Sequence, residues 1–132
     1  MEKESGRPVL ALVADLYFIT RVQSVCDQLG HSVKFIESVE QVGHESADFI
    51  RYVSDSKPVL IILDLNHHAI PWAEWIAAVK TAPETQEFPV ISFGSHKDVD
   101  TMKQARQIGA DAVFAKSRFT EAMPEIIKKH IL

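Results

Sequence analysis

Three side chains able to do chemistry hold matching places in this chain: Asp15, Asp64 and Lys116 each follow directly on a short apolar run. Two carboxylates brought together repel, so such a pair needs a proton or a cation between them, and a lysine or a hard divalent metal serves. Magnesium suits oxygen donors, keeps several of its waters beside one or two carboxylates, and meets a phosphate on its open side. Carboxylates can also act as nucleophiles that become aspartyl phosphates. Phosphoryl acceptance is therefore a chemically sensible reading of Asp64. Taken by itself, Asp64 reads equally well as a turn residue, because aspartate side chains bond locally to turn backbone.

The elements that must position these residues are legible in the apolar pattern. Val59-Leu60-Ile61-Ile62-Leu63, entered through Pro58, is a continuous apolar run of the kind that forms a strand buried on both faces. Such strands belong to parallel sheets covered by helices, and in open sheets of that kind ligands bind beyond the carboxyl ends of the strands. Val9 to Ala14 is a second such run and ends on Asp15; Phe88 to Phe93 is a third, followed by a Gly94-Ser95-His96 turn; Ala112 to Ala115 is a last short one, ending on Lys116. His31 to Ile36 alternates polar and apolar residues, which places that strand nearer a sheet edge.

Helical spacing fills the intervals. Phe18, Ile19, Val22, Val25, Cys26 and Leu29 recur on one face before Gly30. Ser38 can cap a second helix carrying Val42, Ala47, Ile50 and Val53, with Gly43 inside it. A third helix opens at Pro71 with Trp72, Trp75, Ile76 and Val79, read as core or groove residues; a fourth carries Val99, Met102, Ala105 and Ile108; a fifth carries Met123, Ile126, Ile127 and Ile131. Five strands alternating with five helices give the α/β class, with one doubly wound parallel sheet of strand order 2-1-3-4-5. In that order the strand ends bearing Asp15, Asp64, Gly94-Ser95 and Lys116 are neighbours.

Composition narrows the function classes. A chain of 132 residues makes one domain with one compact core, expected over residues 8–132 behind a flexible polar tail at 1–7. The net charge of −4, from 14 basic and 18 acidic residues, lacks the basic excess that phosphate-backbone binding requires, so nucleic acid is not expected as a partner. No run approaches a membrane span, no membrane partner is expected, and a cytoplasmic location follows from the polar start. The single cysteine, Cys26, reads as a small buried hydrophobe.

In element order and in its spaced polar residues the sequence resembles the receiver domains of bacterial two-component response regulators, across essentially the whole chain. The resemblance implies a flavodoxin-like receiver fold in which Asp64 accepts a phosphoryl group from a histidine kinase or phosphotransfer protein. It implies that Asp15, Asp64 and the backbone carbonyl of Asn66 bind Mg2+, and that Lys116 contacts the phosphoryl group. Such a chain is no enzyme beyond catalysing its own aspartyl phosphorylation and dephosphorylation. A stand-alone module of this kind signals through a separate output protein, and the resemblance leaves room for a homodimer.

Several residues depart from the family pattern. Ala14 stands where the first acidic residue is usual, which predicts weak Mg2+ binding. Gly94 replaces the hydroxyl residue after the fourth strand, with Ser95 and His96 beside it as the available substitutes. Val113 stands at the usual aromatic switch, while Phe114 points to the opposite face. Ser117 follows Lys116 in place of proline, and without proline a cis bond there costs about 2.5–4 kcal/mol, so a trans bond is expected. These departures favour an alternative class, a pseudo-receiver that binds a protein partner without phosphoryl chemistry. A small metal-dependent phosphohydrolase is a third class, disfavoured because no general acid or base is evident beyond His67, His68 and His96. Those three histidines could suggest a transition-metal site; adjacent histidines rarely address one ion, so they are read as solvated loop residues.

Overall fold

The computed structural model describes residues 7–131, so of the tail expected at 1–7 only Arg7 is described. Five parallel strands, β1 (Val9–Leu12), β2 (Val33–Phe35), β3 (Leu60–Asp64), β4 (Val90–Gly94) and β5 (Ala112–Ala115), form one sheet in the order β2-β1-β3-β4-β5. Every residue of β1, β3 and β4 is buried, which explains their unbroken apolar character. The alternating β2 and the short β5 are the edges. In register, Leu12 lies beside Leu63, Asp64 beside Phe93, and Gly94 beside Ala115, so the carboxyl ends of the three central strands are level.

Alternation along the strands sends their side chains to two cores. On one face, Val9, Ala11, Val13, Leu60, Ile62, Ile91 and Phe93 pack against α1 (Leu16–Leu29), α5 (Lys116–Glu121) and α6 (Met123–His130). On the other, Leu10, Leu12, Ile61, Leu63 and Val90 pack against α2 (Ser46–Ser56), α3 (Trp72–Thr81) and α4 (Val99–Gln107). Val113 and Phe114 join opposite cores, as period-two alternation requires. No helix among the described residues is long and apolar enough to cross a membrane.

Two helical expectations need correction. Ser38 does not open the second helix; it precedes a single 3-10 turn at Val39–Gln41, where the Gln41 side-chain carbonyl accepts from the Ser38 N–H at 3.1 Å. Gly43 follows with φ of 126°, a backbone state that L side chains rarely adopt, and a Cβ there would lie 2.5 Å from the Asp48 carboxylate. The chain therefore breaks at Gly43, and α2 starts at Ser46. Its buried anchors are Phe49 and Val53, and Phe49 stacks on Trp75 of α3 at 4.5 Å and 10°. The single helix expected at the end is two, because the α-helical run from Lys116 stops at Ala122 before Pro124 opens α6. That earlier start adds Phe119 to the core.

Candidate functional site

Asp64 ends β3 as the only buried carboxylate among the described residues, 4% exposed, on the face shared with Leu60, Ile62 and Phe93. The floor of the site is aromatic: Phe18 packs on Phe93 at 4.7 Å, and Phe93 stacks on Phe119 at 4.5 Å and 7°. Removal from water beside these rings pushes the Asp64 pKa above the usual carboxylate range, since burial penalises the charged form. The Asn66 N–H donates to its Oδ1 at 2.9 Å and pulls the other way, as do the charges of Lys116 and His67; Asp15 adds to the upward push.

Asp15 is exposed and serves locally as the N-cap of α1, its Oδ1 accepting from the Phe18 N–H at 3.2 Å. Lys116 is the first residue of α5, and its ammonium lies over the Phe18 ring, 5.6 Å from the centroid. It makes no ion pair with Asp64 among the described residues, although its charge acts on that carboxyl. No cis peptide bond occurs among the described residues, so Lys116–Ser117 is trans. Asn66 is exposed, with its Oδ1 accepting from His68 Nε2 at 3.0 Å.

The histidines do not behave alike. His68 and His96 are exposed, as read from the sequence, but His67 is 4% exposed, and its Nε2 bonds the Ile36 carbonyl at 3.0 Å. A buried backbone acceptor explains why this loop histidine turns inward rather than into water. Ser95, one candidate substitute for a missing hydroxyl, uses its Oγ to accept from the Lys97 N–H within its own loop, at 3.2 Å.

Gly94 sits tight against Leu65. A Cβ built on Gly94 would lie 3.1 Å from Leu65 Cδ1 and 3.3 Å from Leu65 Cβ, and Leu65 is itself 4% exposed. Any side chain at position 94 would therefore require Leu65 to give by a few tenths of an ångström. Above the pair opens a cleft of about 110 Å³ lined by Asn66, Ser95, Asp98, Thr101, Met102 and Lys116.

No protein-family model matches this sequence, and no curated protein is similar enough in sequence to pair with it. Solved structures are similar in shape. The phosphorylated cyanobacterial phytochrome response regulator RcpA superposes with a TM-score of 0.76 at 18% identity, over 96% of this chain and 94% of that one. The chemotaxis response regulator CheY4 of Vibrio cholerae gives 0.73 at 14% identity, over 96% and 100%. The receiver domain of the sensor histidine kinase PA1611 from Pseudomonas aeruginosa PAO1, which has magnesium in its active-site cleft, gives 0.73 at 13% identity, over 96% and 98%. The chain has the receiver fold. What the receiver fold brings together here is Asp64, Asp15 and Lys116 at one end of the sheet; what it leaves out is a carboxylate at Ala14 and a hydroxyl at Gly94.

The donor set suits magnesium in kind and falls short in number. Asp64, the remaining oxygen of Asp15 and the Asn66 carbonyl are hard oxygen donors, whereas Ala14 offers none, and among the described residues no group of three or more His, Cys, Asp or Glu side chains could hold a metal. Asp15, Asp64 and Asn66 would hold the ion.

Two outcomes follow. A carboxyl whose pKa is raised on folding contributes stability that is fully present below its unfolded-state pKa and lost as the pH rises through the folded-state value. Asp64→Asn keeps an oxygen for the Asn66 N–H and cannot ionise, so it should melt above the parent at neutral pH, with the advantage fading in acid; a Tm difference independent of pH would contradict the burial argument. Gly94→Thr should destabilise by about 1–3 kcal/mol through overpacking against Leu65. Adding Leu65→Ala should recover part of that loss, which denaturant unfolding of the double-mutant cycle measures; strictly additive effects would mean that the two side chains do not compete.

Proposed function

We propose that this chain is a receiver module of a phosphorelay, in which Asp64 takes a phosphoryl group from a phosphohistidine of a histidine kinase or phosphotransfer protein and an output partner reads the result. The observation that carries the reading is Asp64 itself, a carboxylate buried at the end of the central strand of a receiver fold, with one oxygen held by the Asn66 N–H. Held in this way, the second oxygen attacks phosphorus; a P–O bond forms as the P–N bond to the imidazole breaks, and the electron pair leaves on the imidazole nitrogen. Positioning and charge neutralisation supply most of the catalysis in such transfers. The Lys116 ammonium, 5.6 Å above the Phe18 ring, can swing from that ring to the new phosphoryl oxygens, since four rotatable side-chain torsions position it. Magnesium bound by Asp15, Asp64 and Asn66 would offset the charge gathering on those oxygens.

A protein donor suits the surroundings better than a small molecule alone. The three large apolar side chains that stand exposed among the described residues, Leu16 at 76%, Tyr17 at 52% and Val99 at 64%, open α1 and α4 at the carboxyl end of the sheet, one pair and one single on either side of Asp64. Exposed apolar side chains flanking the site offer contacts to a protein partner that a small phosphodonor would leave unused.

A second reading, a pseudo-receiver that binds its partner without phosphoryl chemistry, is favoured by Leu65 filling the space over Gly94. The two separate experimentally. Incubation with acetyl phosphate and Mg2+ should add one phosphoryl group, seen by intact mass and lost in Asp64→Asn, and Ala14→Asp should tighten Mg2+ binding by adding a hard oxygen donor; an unmodified chain would leave the pseudo-receiver standing. If phosphorylation occurs, a beryllium fluoride adduct at Asp64 should move the amide signals of the loops around Asp64 and Lys116 while Val99, Met102 and Val113 stay nearly fixed, because a ligand shifts only an equilibrium to which it binds differentially. Large shifts at Val113 would show that the domain still switches.

A further inference from the structure

Besides Asp64, the buried polar side chains among the described residues are His67, Thr85 and Ser92. Two of them tie the core locally: Thr85 Oγ1 donates to the Val79 carbonyl at 2.8 Å and Ser92 Oγ to the Ala112 carbonyl at 3.3 Å. His67 does something else. Its Nε2 meets the carbonyl of Ile36, 31 residues earlier in the chain, at 3.0 Å, and because a carbonyl only accepts, that nitrogen carries the proton. Ile36 lies just beyond β2 and its own N–H donates to Ala11 of β1 at 2.9 Å. Since β1 separates β2 from β3 in the sheet, the imidazole bridges the ends of two strands that do not touch.

The turn that His67 closes is the one that holds the carboxylate. The His67 N–H donates to the Asp64 carbonyl at 3.0 Å, and the Asn66 N–H donates to Asp64 Oδ1 at 2.9 Å. Asn66 between them is exposed, so the turn is anchored before it by Leu65, whose N–H donates to the Phe93 carbonyl at 3.0 Å, and after it by His67. Ile36 is fully buried, and losing the imidazole donor would leave its carbonyl without that partner, a penalty that the turn could relieve only by shifting.

We propose that His67 is a positioning residue: by mooring the turn after β3 to the end of β2, it holds the Asp64 carboxylate and the Asn66 carbonyl in the arrangement that phosphoryl acceptance needs. The proposal rests on the receiver reading given above. It does not rest on the charge of His67, because a neutral N–H donor suffices.

That last point supplies the test. In the full chain, His67→Met keeps a long apolar side chain and removes the donor, whereas His67→Gln returns an N–H at the same number of bonds from the backbone. Hydrogen exchange of the Asn66 amide reports the grip on Asp64 Oδ1 without any phosphorylation, and acetyl phosphate labelling reports the chemistry. His67→Met should exchange that amide about tenfold faster, the size expected from one net hydrogen bond, with the amides of β3 unchanged. It should also accept the phosphoryl group roughly 10–100-fold more slowly, the usual effect of removing a residue that orients a site's own ligands. His67→Gln should return both to within about threefold, even where the two variants melt at the same temperature. Unchanged Asn66 exchange in His67→Met would overturn the proposal, and so would a folded His67→Gln that recovers neither readout. If the parent chain accepts no phosphoryl group while Asn66 exchange still follows the donor at position 67, the receiver reading fails and the mooring role of His67 stands.

Discussion

The burial of one carboxylate at the end of the central strand is the constraint on which the site depends. A carboxylate drawn from water into an apolar interior loses several kcal/mol of solvation even after the surroundings relax, so Asp64 is tolerable only where the chain supplies donors or charge. It supplies a backbone N–H from Asn66 and the fields of Lys116 and His67, and these do not fully offset the loss, since the carboxyl remains harder to ionise than usual. An uncompensated buried acid is poor design for stability alone. It is sensible where a nucleophile must be poorly hydrated, because a carboxylate stripped of water attacks without first shedding it.

The same constraint explains why the surroundings are aromatic and packed rather than polar. Phe18, Phe93 and Phe119 form a floor that excludes water beneath Asp64, and Phe18 also receives the Lys116 ammonium. Lysine over a ring keeps its charge near the carboxyl without the strong ion pair that would hold it there, so it stays available to a new anion. Asp15 spends one oxygen on capping α1, which leaves the other facing outward from the helix start.

Much of this architecture was legible because buried parallel strands leave an unmistakable mark. The apolar runs before Asp15 and Asp64 announced β1 and β3, and the alternation over His31 to Ile36 announced an edge strand, because side-chain type there is dictated by which faces meet water. The Gly43 break was not legible, since a glycine in a helical pattern reads as a weak helix former until its φ of 126° and the crowding by Asp48 are seen. Phe49 is hidden for a related reason: only with α2 starting at Ser46 does its buried face run through Phe49 and Val53 rather than Ile50. Leu65 and His67 escaped because each acts on a residue distant in sequence, Gly94 in one case and Ile36 in the other, and spacing carries no trace of such partners. A hint existed in hindsight, for a glycine where a hydroxyl is usual asks what fills the vacated space.

Leu65 and Gly94 also bear on how far the domain can have departed from a switch. A side chain at position 94 that moved toward a phosphoryl group would need room both before and after its motion, and packed interiors offer two discrete arrangements only where both are filled without voids or overlap. Here a leucine that is 4% exposed stands 3.1 Å from where a Cβ on Gly94 would lie. A hydroxyl-bearing side chain at position 94 would first require Leu65 to give by a few tenths of an ångström, and Val113 presents no ring on the core that it joins. The hydrogen bonds that hold the turn after β3, from the Asn66 N–H to Asp64 Oδ1 and from His67 Nε2 to the Ile36 carbonyl, run through neither Gly94 nor Val113, so the carboxylate is positioned by contacts distinct from the packing at Gly94.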